Sequence, residues 1–377
     1  MTLLRPTSIA VAMLLAGCTA QAPSADAGAP APAVADATPA TPAPTPASTL
    51  GTEPVLGPQP VAALGVGPDG SPLDPMDAAH APVAAPDHKA NDAATTTGAE
   101  GVLRAQVLLL RQHFSTGEID GKAGMNVAKA VRAFQKYRGL TVSGELDDAT
   151  WAALNQDSAP VLMTYTLTQK DIDGPYAPTP ERAEDKAKMD RIVYQTMLEM
   201  LGERYNAKPE LLQSLNPDAD FSKAGTTLVV PYTRPAQSLP KASRIVVDKS
   251  DGALQLLDAD GKLFAQFPAS TGSSKFPLPI GEWKLTSVVQ DPDYRYNPDI
   301  LVGQPKDAKP ATLPPGPNGP VGIVWMGINK QHYGIHGTPE PGHISRTQSS
   351  GCVRLTNFAA QAVATAVEVG TPVTFQE

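Results

Sequence analysis

Two residues near the C-terminus, Cys352 and His336, have the side-chain types of a nucleophile and its general base. A free thiol has a pKa of about 8.5, so it reacts well at neutral pH only when an imidazole or backbone amides favour the thiolate. His336 ends a strand-like run and precedes Gly337, so its ring can project at a sheet edge. Ser350 and Gly351 precede Cys352 and permit a tight turn whose amides face a developing oxyanion. The stretch therefore predicts a cysteine activated by a histidine.

Two other histidines of the same stretch are alternatives to His336, because a Cys/His pairing is made in space and not in sequence. His332 would share a strand face with His336, which suggests a metal pair, but no nearby carboxylate or second thiol completes a site. His343 lies in a polar loop and is expected at the rim. We expect no metal and no cofactor.

The chain has only two cysteines, so the other one decides whether Cys352 has a disulfide partner. The N-terminus reads MTLLRPTSIAVAMLLAGC, with a positive Arg5 and an apolar stretch too short to span a bilayer. An ordinary secretory signal and a buried helix are the plain alternatives. The final LAGC resembles the lipobox cleaved by the lipoprotein signal peptidase, which implies a signal peptide over residues 1–18 and lipid on Cys18.

A lipidated Cys18 leaves Cys352 without an intramolecular partner. An unpaired thiol in an oxidising compartment is a liability, which favours a chemical role for Cys352. Thr19, rather than Asp, follows the first cysteine, and this resembles the outer-membrane sorting signal of Gram-negative lipoproteins. The resemblance implies a periplasmic protein that is lipid-anchored to the membrane, and to the outer membrane in particular.

Composition separates the N-terminal part from the rest of the 377 residues. Residues 19–100 are rich in Ala and Pro and lack a sustained apolar period, which predicts a disordered tether. It either holds the folded domains away from a membrane or has no function of its own. The net charge of −8, with no long basic run, argues against nucleic-acid binding.

Residues 101–157 show helical periodicity in GVLRAQVLLLRQHF, in NVAKAVRAFQKYRGL and in LDDATWAAL. This predicts three short helices around one small core. The order and spacing of the glycine turns, of Phe134-Gln135 and of Thr150-Trp151 resemble the peptidoglycan-binding domain of cell-wall enzymes. An unrelated three-helix bundle is the alternative.

The remaining chain divides near residue 240. In residues 160–235, KPELLQSLNPDADFSKAGTTLVVP resembles the second half of a LysM repeat, so a small α+β LysM-like segment competes with a plain connector. In residues 243–377, apolar runs alternate with Ser-Asp-Gly and Ala-Asp-Gly turns, the signal of hairpins, and only NFAAQAVATAVEVG has helical composition. This predicts a mostly β domain.

The stretches YGIHGT and SSGCVRL are similar to the signature of the L,D-transpeptidase catalytic domain, also called the YkuD type. The similarity extends upstream through STGSSKFPLPIGEWKLT and downstream to the terminal Gly-Thr-Pro-Val strand, over residues 245–376. It implies a β-sandwich catalytic domain of L,D-transpeptidase type whose partner is peptidoglycan. By this resemblance Cys352 is the nucleophile and His336 the general base.

The resemblance also implies supporting roles in the turn around the nucleophile. The Gly337 carbonyl would orient the imidazole, and the amides of Gly351 and Cys352 would form the oxyanion hole. Ser349 would support the turn by a hydrogen bond.

Arg354 and Ser350 complete the implied set. Arg354 carries a permanent charge and a forked donor group, so it would position substrate or brace the turn. Many members have histidine where this chain has Ser350. The Ser350 amide can still serve the oxyanion, and His336 is left as the only base of the motif.

The implied reaction is a two-step acyl transfer. The thiolate attacks the carbonyl at the L-centre of a tetrapeptide stem, releases D-Ala and forms a thioester, which an amine of a second stem or of a protein lysine resolves. Water as the acceptor would make the same machinery an L,D-carboxypeptidase, and some members act as endopeptidases. A non-catalytic wall-binding lipoprotein is the third reading.

The insertion DPDYRYNPDILVGQPKDAKPATLPPGPNGP either caps the site or is an ordinary surface loop.

Overall fold

The computed structural model describes residues 83–85, 88–235, 237–301, 305–349 and 351–377. The predicted signal peptide, Cys18, most of the tether and Ser350 lie outside the described residues. Within these ranges the helices are α1 (Gly98–Arg111), α2 (Met125–Arg138), α3 (Asp148–Leu154), α4 (Gln169–Asp173), α5 (Ala183–Lys186), α6 (Met197–Arg204), α7 (Pro209–Leu215) and α8 (Asn357–Ala366). The strands are β1 (Leu162–Thr166), β2 (Thr227–Pro231), β3 (Arg244–Asp248), β4 (Ala253–Leu257), β5 (Leu263–Pro268), β6 (Gly281–Gln290), β7 (Tyr294–Tyr296), β8 (Ala311–Leu313), β9 (Val324–Ile328), β10 (Gly334–His336), β11 (Val353–Arg354) and β12 (Pro372–Gln376). None of these helices is long and apolar enough to cross a bilayer.

Helices α1, α2 and α3 form the predicted three-helix unit. Val107, Val131, Phe134 and Leu154 are fully buried in its core. Helix α1 begins at Gly98, ahead of residue 101, where the sequence analysis placed the start of the folded part.

The chain before α1 is also packed against a later segment. The Asn91 side chain accepts hydrogen bonds from the amides of Val161 and Leu162, each at 2.8 Å. Its side-chain amide donates to the Leu162 carbonyl at 3.0 Å. The predicted tether boundary at residue 100 therefore lies too far along the chain, because polar contacts of Asn91 carry no apolar period that a sequence pattern would show.

Gln135 explains why the motif of this unit pairs Phe with Gln. Its side chain is fully buried. The amide nitrogen donates to Thr150 Oγ1 at 2.9 Å and to the Glu145 carbonyl at 3.0 Å, and the oxygen accepts from the Ser143 and Gly144 amides, each at 2.9 Å. One buried glutamine thus satisfies three backbone groups of the loop that joins α2 to α3.

Residues 160–235 form a small α+β segment, which we call the connector. Strands β1 and β2 pair antiparallel, and helices α4 to α7 lie between them in the sequence. Arg204 on α6 and Asp171 on α4 form an ion pair at 2.8 Å, with both side chains at most 5% exposed. The LysM-like assignment of this segment stays a prediction.

The C-terminal domain is built on an eight-stranded sheet in the order β11-β10-β9-β6-β12-β3-β4-β5. Strand β6 joins two halves, because residues 281–284 pair with β12 and residues 285–290 pair with β9. The mostly β prediction for residues 243–377 is confirmed. In place of two separate sheets, one long strand that pairs on both sides of a register shift makes a single curled sheet. The predicted helix is α8, which packs against β9 and β10.

The N-terminal helical unit covers one edge of this sheet. The Ser115 amide donates to the Gln266 carbonyl, and the Gln266 amide donates to the His113 carbonyl, both at 2.9 Å. The segment after α1 therefore continues the sheet beyond its edge strand β5, and α2 also contacts β5.

The insertion after β6 is a packed hairpin. Strands β7 and β8 pair antiparallel, and Tyr296 and Leu313 share a small core with Ala183 and Ile192 of the connector. The Ile192 amide donates to the Pro315 carbonyl at 2.9 Å. The connector thus holds the described part of the insertion, and a capping role for the insertion stays a prediction.

Candidate active site

A parallel strand pair brings the predicted nucleophile and base to one face of the sheet. In the pairing of β10 with β11, Ile335 lies opposite Val353, and His336 lies opposite Arg354. Ile335 and Val353 are fully buried. Because side chains alternate along a strand, His336 and Arg354 face the other way, and Cys352, directly before β11, lies on their face.

The His336 ring is fixed in one tautomer. Its Nδ1 lies 2.6 Å from the Gly337 carbonyl oxygen. A carbonyl can only accept, so Nδ1 carries the proton and Nε2 keeps its lone pair. The resemblance assigned this role to Gly337, and the carbonyl lies where that role requires it.

The surroundings of His336 keep the ring neutral. The side chain is 6% exposed, and its ring stacks on Trp325 of β9. Burial lowers the His336 pKa to about 4; the hydrogen bond to Gly337 acts in the opposite direction, and the charge of Arg354 lowers the pKa further. An unprotonated imidazole at neutral pH is the form that can take up a proton.

The Cys352 thiol is protonated in the resting site. Burial raises its pKa to about 11, while the Gly334 amide and the charge of Arg354 act in the opposite direction. Cys352 is nevertheless partly exposed, so a substrate can reach it. The Sγ atom lies 3.6 Å from the His332 carbonyl oxygen. A neutral thiol must lose its proton as it attacks, and the neutral His336 imidazole on the same face of the sheet has the form that a general base requires.

His332 and His343 take no part in a metal pair with His336. His332 has a φ of 67° and lies in the turn before β10, outside the strand face that the sequence analysis expected it to share. His343 is exposed, with its Nδ1 3.2 Å from Glu340 Oε2. The expectation for His332 was wrong because the strand is shorter than its apolar pattern.

Ser349 organises the turn that carries the nucleophile. Its hydroxyl donates to the Cys352 carbonyl and accepts from the Gly351 amide at 3.0 Å. Its own amide donates to the Thr271 carbonyl at 2.9 Å. The Gly351 amide is thus used inside the turn in this resting state, and an oxyanion role for the Cys352 amide stays a prediction.

Gly351 is required at its position by both conformation and space. Its φ is 116°, and a Cβ there would lie 2.8 Å from the Tyr333 ring. Only glycine therefore lets the backbone pass under Tyr333 and present Cys352.

Arg354 braces the turn, which is one of its two predicted roles. Its guanidinium donates to the Gln348 carbonyl. Its backbone exchanges two hydrogen bonds with Ser270, at 2.8 and 2.9 Å. A contact between Arg354 and substrate stays a prediction.

Tyr294 lies within electrostatic range of the Cys352 sulfur, which the sequence analysis did not anticipate. Burial raises its pKa to about 12, and the charge of Cys352 contributes to the same shift. Tyr294 lies on β7, so the inserted hairpin reaches the neighbourhood of the nucleophile. The aromatic pair in YRY is the sequence signal that could have indicated it.

A cavity of about 770 Å³ lies apart from the nucleophile and is lined by the helical unit, the connector and the loop after β10. It has acidic and basic walls. The charged and titratable residues among them are Glu118, Asp120, Lys122, Glu199, Glu203, Lys208, Glu210, His343 and Arg346. Burial raises the pKa of Glu118 to about 7 and that of Glu203 to about 8.

Comparisons with known proteins identify the two folded domains by their sequences. The family model described as the L,D-transpeptidase catalytic domain, YkuD, matches residues 242–375, and the one described as "Putative peptidoglycan binding domain" matches residues 98–154. The chain is similar to the "Putative L,D-transpeptidase YkuD" of Bacillus licheniformis, with 28% identity over 178 residues that cover 47% of this chain and 91% of that protein.

Solved structures of similar proteins include two transpeptidases. The L,D-transpeptidase from Xylanimonas cellulosilytica has a TM-score of 0.32 at 16% identity, covering 73% of this chain and 92% of that one. L,D-transpeptidase 3 from Mycobacterium tuberculosis has a TM-score of 0.30 at 20% identity, covering 42% and 77%. The two family matches confirm both domain resemblances: residues 242–375 are an L,D-transpeptidase catalytic domain of the YkuD family, and residues 98–154 are a peptidoglycan-binding domain.

Proposed function

We propose that this protein joins peptidoglycan stem peptides through a thioester on Cys352, with His336 as the general base. The observation that carries the proposal is the hydrogen bond between His336 Nδ1 and the Gly337 carbonyl, which leaves Nε2 free on the face that Cys352 shares. The acceptor is an amine, of a second stem peptide or of a protein lysine.

The first half-reaction forms the thioester. His336 Nε2 takes the thiol proton as Cys352 Sγ attacks the carbonyl carbon at the L-centre of the donor stem. The carbonyl π electrons move to oxygen, where the Cys352 amide stabilises the negative charge. The C–N bond to D-Ala then breaks, and His336 returns the proton to the departing amine.

The second half-reaction transfers the acyl group. The acceptor amine attacks the thioester carbonyl and gives its proton to His336. The C–S bond breaks, and the thiolate recovers that proton. A site that keeps water away from the thioester favours transfer over hydrolysis, and the inserted hairpin with Tyr294 near Cys352 supports such a role.

We also propose that lipid on Cys18 anchors the protein at the periplasmic side of the outer membrane. The LAGC stretch with Thr19 supports this, and the peptidoglycan-binding domain fits a wall-facing position. A Cys18→Ala variant should leave the membrane fraction of the host and keep its turnover in solution. If the variant still pellets with membranes, the anchor is elsewhere.

The decisive experiment incubates the purified full-length protein with disaccharide-tetrapeptides and identifies products by mass spectrometry. Cross-linked dimers support the transpeptidase. Tripeptides alone would instead assign the L,D-carboxypeptidase, and unchanged substrate would assign the non-catalytic wall-binding lipoprotein. Cys352→Ala should abolish turnover and leave binding to sacculi intact, whereas turnover by that variant would exclude the proposed nucleophile.

A further inference from the structure

Asn357, the first residue of α8, lies directly beneath the backbone that holds the catalytic base. Its side chain is 1% exposed. A Cβ added to Gly337 or to Gly322 would overlap Asn357 Oδ1, so the amide oxygen packs against both glycines. Gly337 is also the residue whose carbonyl fixes His336 Nδ1. Asn357 therefore packs against the residue whose carbonyl orients the imidazole.

The Asn357 amide is itself held by hydrogen bonds at both ends. Its oxygen accepts from the Ile323 amide at 3.3 Å, and its nitrogen donates to the Pro317 carbonyl at 3.1 Å. The same nitrogen donates to the two carboxyl oxygens of Glu203, at 3.1 and 2.9 Å. With its donors and its acceptor used, the side chain has one orientation.

Glu203 belongs to the connector, outside the catalytic domain. It lies on α6, and its carboxyl group also accepts from the Tyr194 hydroxyl at 3.2 Å. The chain of contacts runs from Tyr194 and Glu203 through Asn357 to Gly337 and His336. The connector thus reaches the catalytic base through one buried amide.

We propose that Asn357 is a positioning residue for His336, and that Glu203 of the connector holds Asn357 in the orientation this requires. The proposal rests on the proposed catalytic role of His336. It makes the connector part of the catalytic machinery, beyond its role as a spacer between two domains.

The test is made at pH 9, above the Glu203 pKa of about 8, so that the Glu203 carboxyl group can only accept. It uses Asn357→Asp, which keeps the size of the side chain and replaces the donor that faces Glu203 by an acceptor. Because a small displacement of a catalytic group raises the activation barrier, kcat should fall about 10- to 100-fold, with KM unchanged. Adding Glu203→Gln supplies an amide donor opposite the introduced carboxylate. The double variant should recover most of the lost kcat.

Asn318→Asp is the matched control. Asn318 is also buried and also donates to the connector, to the Val193 carbonyl at 3.1 Å, and this hydrogen bond involves neither Asn357 nor Gly337. Its variant should keep kcat within about two-fold, because the His336 geometry is untouched. An equal loss in Asn318→Asp, a normal kcat in Asn357→Asp, or a double variant no better than the single one would overturn the proposal.

A second readout is independent of turnover. In protein labelled with nitrogen-15 at histidine, the His336 Nδ1 proton should exchange slowly in the wild type and fast in Asn357→Asp. Equal exchange would reject the positioning role, whether or not the protein turns over stem peptides. If the wild type did not turn over stem peptides, or if Cys352→Ala did, the proposed function would be rejected instead.

Discussion

The His336 imidazole stacks on the Trp325 indole, with ring centroids 5.6 Å apart and planes inclined by 20°. The two residues lie opposite each other on β10 and β9. The indole thus forms one wall of the site and contributes to the burial that keeps the imidazole neutral. This contact has a consequence for the pH dependence of the reaction.

We expect kcat/KM to fall only as the pH drops through about 4, the His336 pKa. The general base must be unprotonated, and burial favours that form down to this pH. Trp325→Leu should admit water and move this acidic limb up towards pH 6.5, about the pKa of an ordinary histidine. The control is Trp283→Leu, because Trp283 lies on β6 and its indole donates to the Pro279 carbonyl at 2.8 Å. The measurement is kcat/KM against pH. A wild-type limb already near 6.5 would contradict the burial argument.

The Cys352 thiol should react slowly with iodoacetamide at neutral pH. Its pKa of about 11 means that the thiolate fraction rises tenfold per pH unit up to that value. In urea the same cysteine should titrate at about 8.5, the pKa of a free thiol. Mass spectrometry of the peptide that contains Cys352 measures both rates. Identical pH profiles in the native and unfolded states would show that the native thiol is not buried.

Gly351→Ala should abolish activity without unfolding the protein. The added Cβ would press on the Tyr333 ring in a backbone region that favours glycine, so the turn must shift and carry Cys352 with it. Gly261→Ala is the matched control, since Gly261 has a φ of 76° with no atom within 4 Å of an added Cβ. It should cost about 1–2 kcal/mol of stability and no activity. Thermal unfolding and turnover, measured on both variants, separate the two effects.

The ion pair of Arg204 with Asp171 should contribute strongly to the stability of the connector. Arg204→Met leaves a buried carboxylate without its partner, which costs about 3–5 kcal/mol in comparable cases. Arg244→Met removes an exposed pair with Glu282 and should change the free energy of unfolding by less than about 1 kcal/mol. Urea unfolding of both variants is the measurement. Similar losses would mean that burial does not distinguish the pairs.

The sequence predicted the parts of the site that are local in the chain. The serine and glycine of the Cys352 turn are neighbours of the cysteine in the chain, and His336 ends a short strand followed by glycine, so spacing carried the necessary information. The contact of Asn357 with Glu203 joins residues 154 positions apart. A helical apolar pattern cannot reveal such a pair, because its partner is chosen by the packing of two separate segments.

The ends of the strands and the packing of the long insertion could not be predicted from the sequence. The run before His336 suggested a strand that included His332. His332 is itself in the left-handed region, so the strand begins only at Gly334. The apolar residues of the inserted hairpin pack against Ala183 and Ile192 of the connector, a separate segment of the chain. No local pattern could identify that partner segment.

The segment that follows α1 caps β5 by hydrogen bonds to Gln266, and this has a consequence for aggregation. A catalytic fragment that starts near residue 243 would expose the amide and carbonyl groups of β5 to other molecules. An uncovered edge of this kind recruits strands from neighbouring copies. The peptidoglycan-binding domain therefore protects this edge of the catalytic sheet, and we expect the catalytic domain alone to aggregate more readily than the two domains expressed together.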